Sequence, residues 1–282
     1  EASEAIKEHS AEVMNAVRDR AFEDFRRQGF PTRKVERYKY TDMEKIFAPN
    51  YGLNINRIEF PVDPYAAFRC DVPNLSTLLY FVVNDAFYTK RLPNVQPEEG
   101  VVIGSLRKAA EEHPELIARY YARIAKTEED AITALNTMLA QDGLFIYVPK
   151  NVQMEKCVQI INILRADVSM MVNRRVLIVM EEGAKAKFLF CDHTADDHDF
   201  LATQVIEAYV GDNASLDLYC MEETHYKNHR VSNVYIEQQR DSRVNHNVIT
   251  LHNGVTRNRL DLVLKGEGAE CYCSGCVIAD RK

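Results

Sequence analysis

No run of this sequence is apolar for long enough to cross a bilayer as a helix, and none begins it as a secretion leader. The first residues, Glu1-Ala2-Ser3-Glu4, are polar and acidic. No Gly-x-x-x-x-Gly-Lys-Ser/Thr loop is present, which argues against ATP hydrolysis by a P-loop in these residues. No Gly-x-Gly-x-x-Gly opens a βαβ unit, so no Rossmann dinucleotide site is indicated. No Gly-x-Ser-x-Gly marks a nucleophile elbow. Excess positive charge is missing too. The net charge is −7, so electrostatics give no support for nucleic acid or an anionic membrane as a partner. With no catalytic constellation in view, the reading leans towards a scaffold or interaction protein rather than an enzyme.

The cysteines are seven: Cys70, Cys157, Cys191, Cys220, Cys271, Cys273 and Cys276. An odd count without a secretion signal argues for reduced thiols in a cytoplasmic protein. The 282 residues, 46% hydrophobic and 27% charged, suit a soluble globular chain. A chain of this size buries roughly 75% of its extended surface and needs no disulfide staples.

The texture changes once along the chain. Met14, Val17, Ala21 and Phe25 recur at helical spacing, with Arg18, Arg20, Glu23 and Asp24 between them. Gly29 and Pro31 stop that helix. Residues 51–103 are mixed, with a buried strand at Leu78–Val83 and Pro61, Pro64, Pro73, Pro93 and Pro97 around it. A second helical region runs from about Ser105 to Ala140, with Pro114 near a helix start. Leu116, Tyr120 and Ile124 share one stripe, and Ile132, Leu135 and Leu139 share another. From Gly143 the period is two. Strands are expected at 144–148, 158–164, 176–180, 188–190, 205–210, 216–219, 234–236, 248–251 and 260–264. The expected regions are a helical and mixed α/β part over 1–142 and a β part over 143–282.

Four turns in the β part look alike: Glu182-Gly183-Ala184, Asp212-Asn213-Ala214, Asp241-Ser242-Arg243 and Glu267-Gly268-Ala269. Counted from Gly183, Asn213, Ser242 and Gly268, they recur every 30, 29 and 26 residues. Such a period means stacked supersecondary units. A parallel β-helix with about one coil per repeat is therefore expected.

Two stretches carry metal-ligand residue types. Asp192-His193-Thr194-Ala195-Asp196-Asp197-His198-Asp199 is rich in imidazole and carboxylate but reads as an exposed loop between strands. Cys271-Tyr272-Cys273-Ser274-Gly275-Cys276 has zinc- or iron–sulfur-like spacing. The repeat register aligns Cys271 and Cys273 with the apolar first and third residues of Ala186-Lys187-Phe188 and Leu216-Asp217-Leu218. That makes both thiols inward-facing core positions, with any further ligand supplied by an adjacent coil. His225 and His229 on a strand would lie roughly 13 Å apart, too far to share an ion. No residue is assigned to catalysis, to a cofactor or to a metal.

Gly29-Phe30-Pro31-Thr32-Arg33 with Glu36-Arg37-Tyr38-Lys39-Tyr40-Thr41 resembles the N-terminal motif of the SufB/SufD family of iron–sulfur cluster assembly proteins. That motif pairs Gly-x-Pro-Thr-(Arg/Lys) with Glu-x-(Trp/Tyr)-(Lys/Arg)-Tyr-Thr. Ala134-Leu135-Asn136 with Asp142–Lys150 resembles the family's approach to its β-helix, and 173–178 and 264–270 fit its coils. A separate helical N-terminal region, with no cysteine motif in it, resembles the SufD branch more than the SufB branch. The resemblance implies a right-handed parallel β-helix behind an α-helical N-terminal region. It also implies a non-catalytic scaffold subunit of a SufBCD-type complex. The partners it implies are a SufB-like paralogue through the β-helix and a SufC-like ABC ATPase through a later C-terminal region. A homodimer in isolation is compatible with it, and the iron–sulfur cluster belongs to the complex. The family's later coils, its Cys-Ser-His-Gly motif and its C-terminal helices have no counterpart here. With no initiator Met and no capping element before Lys282, a fragment of a longer chain is expected. Two other readings compete: a β-helix carbohydrate lyase or hydrolase, and an independent metal-binding protein using Cys271, Cys273 and Cys276 or His193 and His198.

Overall fold

The computed structural model describes residues 2–67 and 77–279; Cys70 and Pro73 lie outside the described residues. The chain begins with helices α1 (Ala2–Glu8) and α2 (Glu12–Gln28). Met14 and Ala21 of the apolar stripe are buried, and Gly29 ends α2 at φ 65°, its N–H donating to the Phe25 carbonyl. That left-handed φ is one that glycine adopts without steric cost. Arg18 departs from the amphipathic reading, because it too is buried. It donates to the carbonyls of Met138 and Ala140 at 2.5 and 2.7 Å. Those carbonyls end a later helix, where a cation offsets the unsatisfied acceptors.

Short pieces follow: α3 (Met43–Phe47), β1 (Gly52–Leu53), α4 (Pro64–Ala67), β2 (Thr77–Val83), β3 (Ala86–Phe87) and β4 (Val102–Ser105). The second helical region is three helices, α5 (Leu106–Glu112), α6 (Pro114–Tyr120) and α7 (Ala131–Leu139). Pro114 holds the first turn of α6, where its missing N–H costs nothing. Ile124 falls beyond α6, so its expected stripe with Leu116 and Tyr120 is broken. Asp130 caps α7 by accepting the Thr133 N–H at 2.9 Å.

From Leu144 the chain is a β-solenoid. Its strands are β5 (Leu144–Val148), β6 (Cys157–Leu164), β7 (Met170–Met180), β8 (Lys185–Thr194) and β9 (Phe200–Val210). They continue as β10 (Ser215–Glu223), β11 (Asn228–Gln238), β12 (Arg243–His252), β13 (Thr256–Leu264) and β14 (Glu270–Val277). From β5 onward, odd strands stack in parallel in one sheet and even strands in a second; with the N-terminal strands the orders are β13-β11-β9-β7-β5-β4 and β14-β12-β10-β8-β6-β2-β3. The main core lies between the sheets and includes Val158, Ile160, Val176, Ile178, Phe188, Ile206 and Leu218. The outer face of the first sheet is covered as well: Phe145, Leu177 and Val179 pack on Met14, Leu106 and Ile117 of the helices. Strands buried on both faces read as near-continuous apolar runs, which is why their centres stood out in the sequence.

The N-terminal region closes one end. β4 runs antiparallel to β5, β2 extends the second sheet in parallel with β6, and β3 turns back antiparallel on β2. An antiparallel edge strand ends the parallel stack and shields its backbone groups.

The corner turns form a ladder. Asn151, Gly183, Asn213, Asp241 and Gly268 all have positive φ, between 54° and 69°. The third repeat turn is therefore centred on Asp241, not Ser242, and the steps from Gly183 become 30, 28 and 27 residues. The first four donate their N–H to the next coil: Asn151 to the Glu182 carbonyl, Gly183 to Asp212, Asn213 to Arg240 and Asp241 to Glu267. A Cβ on Gly183 would sit 2.3 Å from Asn151 Oδ1, and one on Gly268 would sit 2.2 Å from Asp241 Oδ1.

Candidate functional site

Inward side chains are apolar near the turn ladder and polar towards the opposite edge. One row in the second sheet reads Asn162, Asp192, Glu222, Thr250 from coil to coil. The facing row in the first sheet reads Arg174, Gln204, Ser232, Asn258, and Arg230 follows Ala202 in the neighbouring row. Period-2 alternation places these charged side chains between the sheets.

There they pair. Asp192 Oδ1 accepts from Arg174 Nη1 and from Asn162 Nδ2, both at 2.9 Å, and Asp192 Oδ2 accepts from Arg230. Arg230 also lies 3.3 Å from Glu222 Oε1. Glu222 accepts from Asn258 and Thr250 at 2.9 Å each. Burial pushes the Glu222 carboxyl up, against the pull of Thr250 and Asn258. Burial lowers Arg174 to about 10, and burial together with the neighbouring Arg174 charge lowers Arg230 to about 9. Arg174 Nη2 and Arg230 Nε reach no hydrogen-bond partner among the described residues.

Beside the network is a cavity of about 300 Å³ whose walls include Cys220, Glu222, Arg230, His246, Asn258 and Cys273. Burial raises the Cys220 thiol and lowers the His246 imidazole. His246 Nδ1 lies 3.1 Å from the Leu218 carbonyl, which can only accept, so Nδ1 carries the proton.

Cys271 and Cys273 hold the strand register expected of them, but the expectation that both are core positions fails for Cys273. Cys271 pairs with Val244 and Cys273 with His246 across β12 and β14, and their sulfurs are 3.4 Å apart. Cys271 packs against the main core, whereas Cys273 is exposed. Cys276 is on the other face of β14 and is exposed. Among the described residues, no three His, Cys, Asp or Glu side chains surround one ion position.

The stretch Asp192–Asp199 is not a single loop. β8 continues to Thr194, so Asp192 faces inward and His193 outward, and only residues 195–199 form the turn. Asp196 organises that turn, accepting from the Ala166 and His198 N–H groups, with His198 Nδ1 at 3.1 Å. His225 precedes β11, and His229 within it accepts the Val255 N–H at 3.0 Å.

Arg174, Arg230 and Glu222 were not singled out from the sequence. A signal was available: Asp192 and Glu222 stand equally far along their strands from Ala186 and Leu216, in the same inner row.

A second polar cluster ties the helices to the outside of the first sheet. Glu207 accepts the backbone N–H groups of Ala122, Arg123, Ile124 and Ala125 and pairs with Arg175 at 2.5 Å. Nearby, the N-terminal motif packs down through Tyr38. Its hydroxyl donates to Asp130 at 2.8 Å, and the Arg257 guanidinium lies over its ring at 4.1 Å. Arg37 donates to the Glu129 carbonyl, while Tyr40 stays 90% exposed.

This motif and this solenoid occur together in one family. Residues 1–160 match the SufBD protein N-terminal region, and residues 162–282 match the SufBD core domain of SUF system FeS cluster assembly. The chain belongs to the SufBD family. Among relatives, the iron–sulfur cluster assembly protein SufD of Bacillus subtilis is 27% identical over 83% of this chain and 54% of its own length. A SufBD family protein of Synechocystis is 32% identical over 42% of this chain and 25% of its own length. A SufBD family protein of Arabidopsis thaliana is 29% identical over 48% of this chain and 30% of its own length. The chain thus spans about half the length of the SufD relative, and less of the others. Within the SufBD family the likeness runs to SufD. No helix among the described residues is long and apolar enough to cross a membrane.

Proposed function

We propose that this SufBD chain is part of a SufD-like scaffold subunit of a SufBCD-type iron–sulfur cluster assembly complex, acting in the cytoplasm without catalysing a reaction itself. The observation that carries the reading is the alignment with SufD across both matched regions. The chemistry of the interior agrees with it. Asp192 and Glu222 are held by Arg174 and Arg230 inside the stack, where they add stiffness rather than a free acid or base. ATP hydrolysis would then belong to a SufC-like ATPase, docked through sequence beyond these residues. A SufB-like paralogue would pair with the β-helix, and the cluster would form at the level of the complex.

Co-expression of the full-length protein with SufB- and SufC-like subunits tests this. The expected result is one complex containing all three through affinity and size-exclusion steps. Consistent elution of the protein apart from both would refute it.

A further inference from the structure

The thiol pair of β14 is not used by the scaffold reading. We propose that Cys271 and Cys273 form a two-thiolate site for one thiophilic d10 cation, the class of Cu(I) and Zn(II), on the inner row of the solenoid.

The geometry is close to what such an ion needs. The two sulfurs share a face and stand 3.4 Å apart. Two sulfurs each about 2.3 Å from one ion are about 3.8 Å apart at the tetrahedral angle. A small rotation about each Cα–Cβ bond supplies the difference, and the exposed Cys273 has room for it. Paired thiolates select soft ions over Mg²⁺ or Ca²⁺, which take oxygen ligands. The cavity beside Cys273 leaves space for the ion's remaining ligands.

Charge does not oppose the ion. Two cations line that cavity, and both are neutralised: Arg230 by Asp192 and Glu222, and Arg259 by Asp130 and Asp261. A free cysteine is a thiol at neutral pH, whereas a metal-bound one is a thiolate. Binding therefore exchanges two thiol protons for one ion, Mⁿ⁺ + 2 RSH → [M(SR)₂]⁽ⁿ⁻²⁾⁺ + 2 H⁺, with the ion keeping its oxidation state. Affinity rises with pH accordingly.

The test is an anaerobic titration of the fully reduced 282-residue chain with Zn²⁺ and, separately, Cu⁺ against a chromophoric chelator. At least one ion is expected at one per chain, with proton release. Cys271→Ser and Cys273→Ser should each weaken it about tenfold or more. Cys276→Ser, on the opposite face, should leave it unchanged. Circular dichroism melting identifies folded variants, and the exposed Cys273→Ser decides the matter if Cys271→Ser does not fold. Three results would overturn the site: no stoichiometric binding of either ion, binding that survives both substitutions, or equal loss in Cys276→Ser. None depends on SufB- or SufC-like partners, so failure here is distinct from failure of the scaffold reading.

Discussion

Glu207 and Asp192 are both buried carboxylates facing arginine, yet they are built in different ways. Glu207 lies outside the first sheet and is served by four backbone N–H groups as well as Arg175. Asp192 lies between the sheets and, among the described residues, is served only by side chains, from Asn162, Arg174 and Arg230. The first arrangement fixes a loop: one carboxylate accepts four consecutive N–H groups of residues 122–125. The second joins coils that the backbone ladders already hold. The two clusters should therefore differ in how much stability depends on them. A buried charge left without its partner costs about 3–5 kcal/mol, whereas losing hydrogen bonds to a charged group costs about 1.5–3 kcal/mol.

The largest effect is expected from Glu207→Ala. It strands Arg175 and four N–H groups, and should lower unfolding free energy by about 3–5 kcal/mol in a denaturant titration. A loss below that of the interior variant would break the comparison. Asp192→Asn keeps the shape and the Asn162 contact but removes the charge shared by two arginines. Arg230 keeps Glu222, and the amide oxygen can still accept from Arg174 and Asn162, so a loss of about 1.5–3 kcal/mol, short of a fully stranded charge, is expected from the same measurement.

Gly183→Ala probes neither cluster. It forces a left-handed φ on a side chain and brings Cβ against Asn151. About 1–2 kcal/mol is expected from the backbone alone, plus whatever Asn151 cannot yield. A loss larger than that of Glu207→Ala would show that the corner ladder outweighs both side-chain networks.

The smallest effect is a pH slope. Burial lowers the imidazoles of His193, His229 and His246 below the ordinary value of 6.5. Below that value the unfolded chain binds more protons than the folded one. Stability is thus complete above about pH 6.5 and falls as pH drops towards the folded-state values. His246→Gln should flatten the stability curve between about pH 6.5 and 5, and an unchanged slope would remove His246 from the account.

Much of the solenoid was legible because its strand centres are apolar on both faces. Leu144–Val148 was read to the residue. The leading ends of the longer strands were missed, since Asn173, Arg174 and Arg175 look like a loop when taken alone. Two of the three belong to the polar clusters, Arg174 inside the sheet pair and Arg175 outside it. The inner cluster was hidden for the same reason. Local alternation says which residues share a face, but only stacking in three dimensions gives Asp192 its arginines. Arg18 was misread similarly, because its partners are carbonyls at Met138 and Ala140, far along the chain. Cys271 and Cys273 were placed on the inner face because the repeat supplied the missing register.

The ladder of left-handed corners has a consequence for how such a chain can change length. Its steps shrink from 30 to 28 to 27 residues while the hydrogen bonds from corner to corner persist. The slack is taken up at the other edge, where the connections are residues 195–199, 224–227 and 253–255. One edge keeps time, and the other absorbs the difference. Residues inserted between Thr194 and Phe200 would enlarge a single loop. The same residues inserted beside Gly183 would shift every later coil against its neighbour, and with them the Asp192 and Glu222 rows.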